Sequence, residues 1–444
     1  MLLAKASETI ARMAKITLIG AGSVEFTRNL LADILTFPEL RRSRIALHDI
    51  DPERLRTAEA VAHYTNQRTG ADATIEAHLD RRGALDGAEY VVNEIQVGGY
   101  GASLLDFRIP AKYGLRQTIG DTIGVGGIFR GLRTIPVMLG IGRDMAELCP
   151  GALLLNYANP MAMIPWAVYA GTPFDNVVGV CHSVRDTHAF LAKTVGVPED
   201  EIAFTTAGFN HQAFVLRFER DGENLYPILD EAIARDPEGL GRRVRVEIYR
   251  RFGYFPTESS EHSAEYVPWF MGRDEEVARY RIPVDEYLRR CEENLGEYDE
   301  MKALIASGRG FDVEPTHELA SNIIHSMVTG TRRVEYVNVR NGGLISSLPG
   351  ECCVEVPALV DRGGVRPIAV GGLPSQCAAL NRTFLNVVEL TVRAALEERR
   401  DLVYQAAYVD PNAAANLTLD QIRSMCDELL EAHSELLPRG LRGG

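Results

Sequence analysis

Four short stretches of the 444-residue sequence carry groups suited to chemistry. In the first, Gly20-Ala21-Gly22-Ser23 follows the apolar run 15–19 and opens a helical pattern. Glycine there permits a tight turn whose N–H groups approach a pyrophosphate at the positive end of the following helix. Glu25 stands where a third glycine is usual. Asp49, 24 residues beyond it, ends the next apolar run, where a carboxylate binds ribose hydroxyls and repels a 2′-phosphate. Gly20, Gly22, Ser23 and Asp49 are therefore candidates to hold NAD. The bland alternative is a plain turn with an exposed aspartate.

The remaining stretches place polar residues where strands should end, which is where open α/β sheets bind ligands. Asn93, Glu94 and Gln96 end one strand. Asn156-Tyr157-Ala158-Asn159-Pro160 ends another, and its amides suit sugar hydroxyls or a nicotinamide, or only a turn. Cys181 is followed by His182; the thiol can be a nucleophile, a metal ligand or a packed side chain. His211, in Gly208-Phe209-Asn210-His211, can complete a metal site with Cys181, although 30 residues separate them and no local metal signature joins them. Thr257–Tyr266 concentrates Glu258, Glu261, His262 and Glu265, and is otherwise a solvated charged loop. Gly120–Gly127 reads as a flexible lid and lacks the lysine of a Walker loop.

The elements that position these residues follow from periodicity. Strands are expected at 15–20, 44–50, 74–77, 89–95, 152–156 and 177–181, with helices at 24–40, 52–69 and 133–148 between them. Such alternation gives a parallel sheet covered on both faces. After about residue 200 the alternation weakens; helices are expected near 229–252, 285–306, 316–329 and 375–400, and a hairpin at 335–357. The expected architecture is α/β: an N-terminal Rossmann-like doubly wound sheet (13–200) with a C-terminal α+β substrate domain (201–444) packed against it. Residues before Met13 read as a short helical extension or a start codon assigned too early.

Composition narrows the function. Lys and Arg total 47 against 61 Asp and Glu, a net charge of −14, which argues against nucleic acid as a partner. Seven irregularly spaced cysteines without a CxxC fit neither a disulfide framework nor a zinc knuckle. No apolar stretch reaches the length of a membrane span, and no cleavable signal pattern is seen, so a cytoplasmic location is expected.

Taken together, ITLIGAGS, ALHDIDPERL, QVGGY, GGIFRGLRTIP, NYANPMAM, GVCHSV, AGFNHQAF, GYFPTESSEHSAEYVPWF, NVRNGGLISSLP and CCVEVP resemble glycoside hydrolase family four, the NAD- and Mn2+-dependent glycosidases. CHSV and TESSEH point within it to the α-galactosidase branch, with α-glucosidase and α-galacturonidase as alternatives. The resemblance implies an exception to the two-carboxylate scheme of glycosidases. NAD+ oxidises the sugar at C3, a base removes the C2 proton, a divalent metal stabilises the resulting charge, and the aglycone leaves by elimination. Water adds back and the hydride returns. Carried over by position, Cys181 and His211 match metal ligands, Asn159 a substrate-binding asparagine, and Gly20, Gly22, Ser23 and Asp49 the cofactor site; Asn156, from its strand-end position, is a further cofactor-binding candidate. His182 stands where other members carry an acidic proton donor. Tyr254, Glu258 and Glu261 compete for the C2 base, with Tyr254 slightly favoured. The expected partners are a small glycoside and further copies of the chain, as a dimer or tetramer.

Two other readings remain from the residues. A lactate- or malate-type dehydrogenase shares the first-half topology but needs a His–Asp pair and arginines for a carboxylate substrate. A non-catalytic NAD-binding regulator gives no reason for a cysteine and histidine beside the nicotinamide.

Overall fold

The structure is a computed structural model that describes residues 13–442. The extension expected before Met13 lies outside the described residues. Six strands run parallel: β1 (Lys15–Ile19), β2 (Arg44–His48), β3 (Thr74–His78), β4 (Tyr90–Asn93), β5 (Leu153–Asn156) and β6 (Val177–Gly179). Their spatial order, β3-β2-β1-β4-β5-β6, is that of a dinucleotide-binding sheet, as expected. All five residues of β1 are buried. Strands covered on both faces read as unbroken apolar runs, which is why β1, β2, β4, β5 and β6 were visible in the sequence; edge strand β3 is only partly buried.

Local chemistry fixes the helices between them. Pro52–Thr69 begins where the Asp51 side chain accepts the Glu53 and Arg54 N–H groups, and ends at left-handed Gly70. The helix expected at 133–148 starts earlier and spans Gly124–Leu148. Its first turn is part of Gly120–Gly127, which is buried throughout and not a lid. A Cβ on Gly126 would stand 2.4 Å from the Gly120 carbonyl, and one on Gly127 2.7 Å from the Thr122 carbonyl carbon. The glycines serve close packing, not mobility.

The second half is antiparallel. It comprises β7 (Ala203–Phe209), β8 (Gln212–Arg220), β9 (Glu223–Asn224), β10 (Arg333–Arg340), β11 (Cys353–Asp361) and β12 (Gly364–Pro367). Asn338 on β10 pairs with Gly179 on β6, so the parallel sheet continues as β10-β11-β7-β8-β9. One sheet thus carries both halves of the chain. The hairpin expected at 335–357 is β10–β11. The β7–β8 hairpin was not anticipated. The helix expected over 229–252 is two, Tyr226–Arg235 and Val244–Phe252, separated by a segment containing Pro237, Gly239 and Gly241. A long helix, Glu286–Ala306, crosses back onto the first half, where Met301 packs on Val24 and Val61 and Tyr298 lies 4.3 Å from the Arg54 guanidinium. Among the described residues no helix is long and apolar enough to cross a membrane.

Candidate active site

The ends of β1, β2 and β4 open onto a cleft of about 670 Å3, closed on its far side by helix Glu286–Ala306. Gly20, Gly22, Ser23 and Asp49 all line it. Gly20 has φ +88°, and a Cβ there would meet the Ile95 backbone nitrogen at 2.9 Å; a Cβ on Gly22 would meet Asp49 Oδ2 at 2.5 Å. The turn therefore admits no larger residue. Gly22 N–H donates to Asp49 Oδ2 (2.8 Å) and Asp51 N–H to Asp49 Oδ1 (2.8 Å), which aims the carboxylate at the cleft rim. Glu94 also lines the cleft. Its two carboxyl oxygens are sealed from solvent with no hydrogen-bond partner among the described residues, and burial, then Glu318 and Asp49, push its pKa well above the carboxylate range. A tight glycine turn, a rim carboxylate and an unpartnered acid fit a nucleotide with ribose and carboxamide groups. Asn156 stands apart from this lining: it is fully buried, accepts from Asn93 Nδ2 (2.8 Å) and donates to the Ala158 carbonyl (2.8 Å).

A second cluster forms where the hairpin tip meets the end of β6. Phe209 pairs with Gln212, so Asn210 and His211 are a two-residue turn. The tip is buried, and His211 has φ +67°. It is anchored by Asn210 Nδ2, which donates to buried Glu355 Oε1 (3.1 Å), as does Asn338 Nδ2 (3.2 Å). His211 Nε2 lies 3.3 Å from Cys181 Sγ and 3.5 Å from Glu258 Oε2. Its Nδ1 faces the hydroxyls of Thr122 (3.0 Å) and Tyr266 (3.2 Å). The residues 181 and 211 that spacing could not join are thus neighbours.

Donor atoms about 2.0–2.3 Å from one ion stand roughly 3–3.5 Å apart when adjacent; His211 Nε2 meets that spacing with both Cys181 and Glu258, and all three donors lie within 4.8 Å of one another, as a shared cation needs. The electrostatics agree. Burial disfavours a charged His211, yet the Cys181 and Glu258 charges outweigh it and lift the pKa to about 10; a proton there occupies the place a cation would take. Burial likewise opposes charge on Glu258, but His262, His211 and Arg245 outweigh it and hold the carboxyl below its usual range.

Sequence reasoning missed the other wall. Asp121 Oδ1 lies 3.8 Å from His262 Nε2, and His262 Nδ1 lies 3.4 Å from Glu258 Oε1. Asp121, His211 and His262 form a second group of donor atoms within 4.8 Å. Asp121 was hidden in the supposed lid, and His262 in a segment that composition alone makes a solvated loop; it is buried. Asn159 Nδ2 donates to Asp121 Oδ2 (2.8 Å). Arg130 then links cluster and cleft: its Nε donates to the Asn159 carbonyl (3.3 Å) and an Nη to Tyr287 (2.5 Å), whose hydroxyl also accepts from Gln96 (3.4 Å). His182, next to Cys181, pairs with Glu318. Tyr254 packs against the core and makes no hydrogen bond among the described residues, so no such contact ties it to the cluster. The tyrosine in contact with His211 is Tyr266.

Known proteins resemble the chain over nearly its whole length. The profile of the family 4 glycosyl hydrolases matches residues 15–197, and that of the family's C-terminal domain matches residues 206–413. An α-galactosidase of Bacillus subtilis (strain 168) is 44% identical over 96% of this chain and 99% of its own. One from Rhizobium meliloti (strain 1021) is 36% identical over 96% and 89%. The fold is shared with the 6-phospho-β-glucosidase of Thermotoga maritima, solved with manganese, NAD+ and glucose-6-phosphate (TM-score 0.79, 21% identity, 96% and 99% coverage). With both profiles matched in succession along nearly its whole length, the chain belongs to family 4 of the glycosyl hydrolases and is a glycoside hydrolase.

Proposed function

We propose that the protein is an α-galactosidase that depends on NAD+ and a divalent cation, Mn2+ by family resemblance. What carries this reading is the convergence of Cys181, His211 and Glu258 beside a dinucleotide cleft, in a family member whose full-length relatives include two α-galactosidases. When bound, the cofactor and cation would supply reversible oxidation at C3 of the sugar and stabilisation of negative charge on its oxygens. Gly20, Gly22, Ser23 and Asp49 hold the nucleotide. Cys181 Sγ, His211 Nε2 and Glu258 Oε2 hold the cation. Asn159, fixed by Asp121, orients sugar hydroxyls.

Proton movements fall to the chain itself. Glu258 Oε1 lies beside His262 Nδ1 and Oε2 beside His211 Nε2, and we assign this carboxylate the C2 proton in preference to Tyr254. His182, steadied by Glu318, gives a proton to the departing oxygen. A thiolate ligand requires a reducing compartment, and all seven cysteines are free, which supports a cytoplasmic enzyme.

The test is a panel of nitrophenyl glycosides assayed with NAD+, Mn2+ and a thiol reductant, each omitted in turn. The α-galactoside should be the best substrate, and each omission should abolish or sharply lower turnover. NADH accumulating in proportion to product would overturn the hydrolase reading in favour of a net oxidation.

A further inference from the structure

Glu258 and His211 are both in left-handed backbone conformation, with φ +69° and +67°. Side-chain-bearing residues avoid this region unless the surroundings impose it. For Glu258 the imposing group is visible. Arg245, on helix Val244–Phe252, donates from an Nη to the Glu258 carbonyl. The same guanidinium lies 4.2 Å from the ring of Phe190 and 5.1 Å from that of Phe255, and touches Thr187 Oγ1 at 3.4 Å. Among the described residues it has no carboxylate partner within 4.0 Å.

That arrangement needs a reason. A cation held between two aromatic rings without an ion pair is a poor choice for packing, where an apolar residue of similar volume does as well or better. Its hydrogen bonds go to the Thr187 hydroxyl (3.4 Å) and, more closely, to the carbonyl of Glu258, whose carboxylate faces the Cys181–His211 site. Fixing that carbonyl fixes the peptide plane after Glu258 and so the direction of its side chain.

We infer that Arg245 is a positioning residue: it locks the left-handed turn at Glu258 and thereby presents the Glu258 carboxylate to the metal site. The inference rests on the reading of that site given above. It makes an unusual forecast, because fold stability and metal affinity should part company when the arginine is replaced.

The experiment uses the full chain with Arg245→Met, Arg245→Lys and Glu258→Gln, and measures three quantities on each: thermal midpoint without metal, Mn2+ affinity by calorimetry, and NAD+ affinity. Arg245→Met should keep or raise the thermal midpoint, since methionine fills the gap between Phe190 and Phe255. Its Mn2+ affinity should fall by about 10–100-fold, the usual cost of removing a group that orients a ligand, with NAD+ affinity unchanged. Arg245→Lys, which keeps a donor but not the flat stack, should recover part of the loss. Glu258→Gln should weaken Mn2+ binding at least as much. Mn2+ affinity within twofold of wild type in Arg245→Met overturns the inference. So does a large drop in its thermal midpoint or loss of its fold, because the arginine would then be structural. A wild-type protein that binds NAD+ but no Mn2+ overturns instead the reading of the site, and the inference with it.

Discussion

His182 Nε2 stands 2.7 Å from Glu318 Oε2. Glu318 is buried and sits immediately before helix Leu319–Thr329. Its backbone is fixed by Asp33, whose carboxylate accepts N–H groups from Thr316 (2.6 Å), His317 (3.1 Å) and Glu318. The imidazole beside Cys181 is thus oriented by a carboxylate that is itself held by a buried aspartate from the first half of the chain. In the proposed reaction this histidine–glutamate pair is the proton donor.

From that pair follows a leaving-group test. General acid catalysis contributes roughly 10²–10⁴-fold, and most where the departing oxygen is basic. His182→Ala should lose about that much in kcat/KM for alkyl α-galactosides and far less for nitrophenyl α-galactosides. Glu318→Gln should show the same pattern in weaker form. Equal losses on both substrate classes would remove His182 from the proton-donor role.

The metal site gives a second expectation. Cys181→Ser and His211→Ala should each abolish activity while leaving the far-UV circular dichroism unchanged, because neither residue carries the core. His211 must give up its proton to bind a cation, so Mn2+ affinity should rise with pH across the neutral range and proton release should accompany binding. Calorimetry in buffers of different ionisation enthalpy reads this directly. Near-normal metal content in either variant would move the site elsewhere.

How much of this was written in the sequence depends on how local each signal is. The central parallel strands and the Gly20–Asp49 turn were legible because burial on both faces leaves continuous apolar runs and a tight turn demands glycine. The β7–β8 hairpin escaped because its tip, Asn210-His211, lacks the Asn-Gly or Gly-led pattern of common two-residue turns. The tip is anchored instead by Glu355, which accepts from Asn210, 145 residues away. Asp121 and His262 escaped for the same reason: their meaning lies in mutual distance, and Gly120–Gly127 and Thr257–Tyr266 look like surface loops until packed together. Tyr254 and Glu258 could not be separated by spacing, since both lie near the start of one motif; the backbone at Glu258 turns its side chain inward.

Glu355 supplies a stability test with a defined sign. It is fully buried, and burial lifts its pKa to about 7, against the hydrogen bonds from Asn210 and Asn338 that favour the charged form. A carboxyl with a raised native pKa binds its proton more tightly folded than unfolded. Its contribution to stability is complete below about pH 4.5 and is lost as pH rises through about 7. Glu355→Gln cannot titrate but keeps an oxygen for the two amides. In metal-free protein the stability of the variant relative to wild type should rise between pH 5.5 and pH 8.5 by on the order of 1–3 kcal/mol. Urea midpoints at the two values check this. A difference independent of pH would mean that Glu355 is ionised in the native state throughout.

The last expectation concerns the bond that separates this chemistry from ordinary glycoside hydrolysis. If the C2 proton is removed during turnover, hydrolysis of an α-galactoside in D2O should place deuterium at C2 of the released sugar, which nuclear magnetic resonance resolves from exchange elsewhere. A two-carboxylate glycosidase never breaks that bond and would leave C2 protonated. The same measurement tests the base. Glu258 carries its carboxylate between His211 Nε2 (3.5 Å) and His262 Nδ1 (3.4 Å), whereas Tyr254 is packed against the core without a hydrogen bond among the described residues. Glu258→Gln should therefore stop both turnover and C2 exchange, and Tyr254→Phe should leave C2 exchange within a few-fold of wild type. Because Glu258 also faces the cation, Mn2+ must be added to saturation, so that lost affinity is not mistaken for a lost base. If Tyr254→Phe is inert at saturating Mn2+ while Glu258→Gln still exchanges C2, the base is the tyrosine. If wild type releases sugar with no deuterium at C2, elimination is not the route this protein takes.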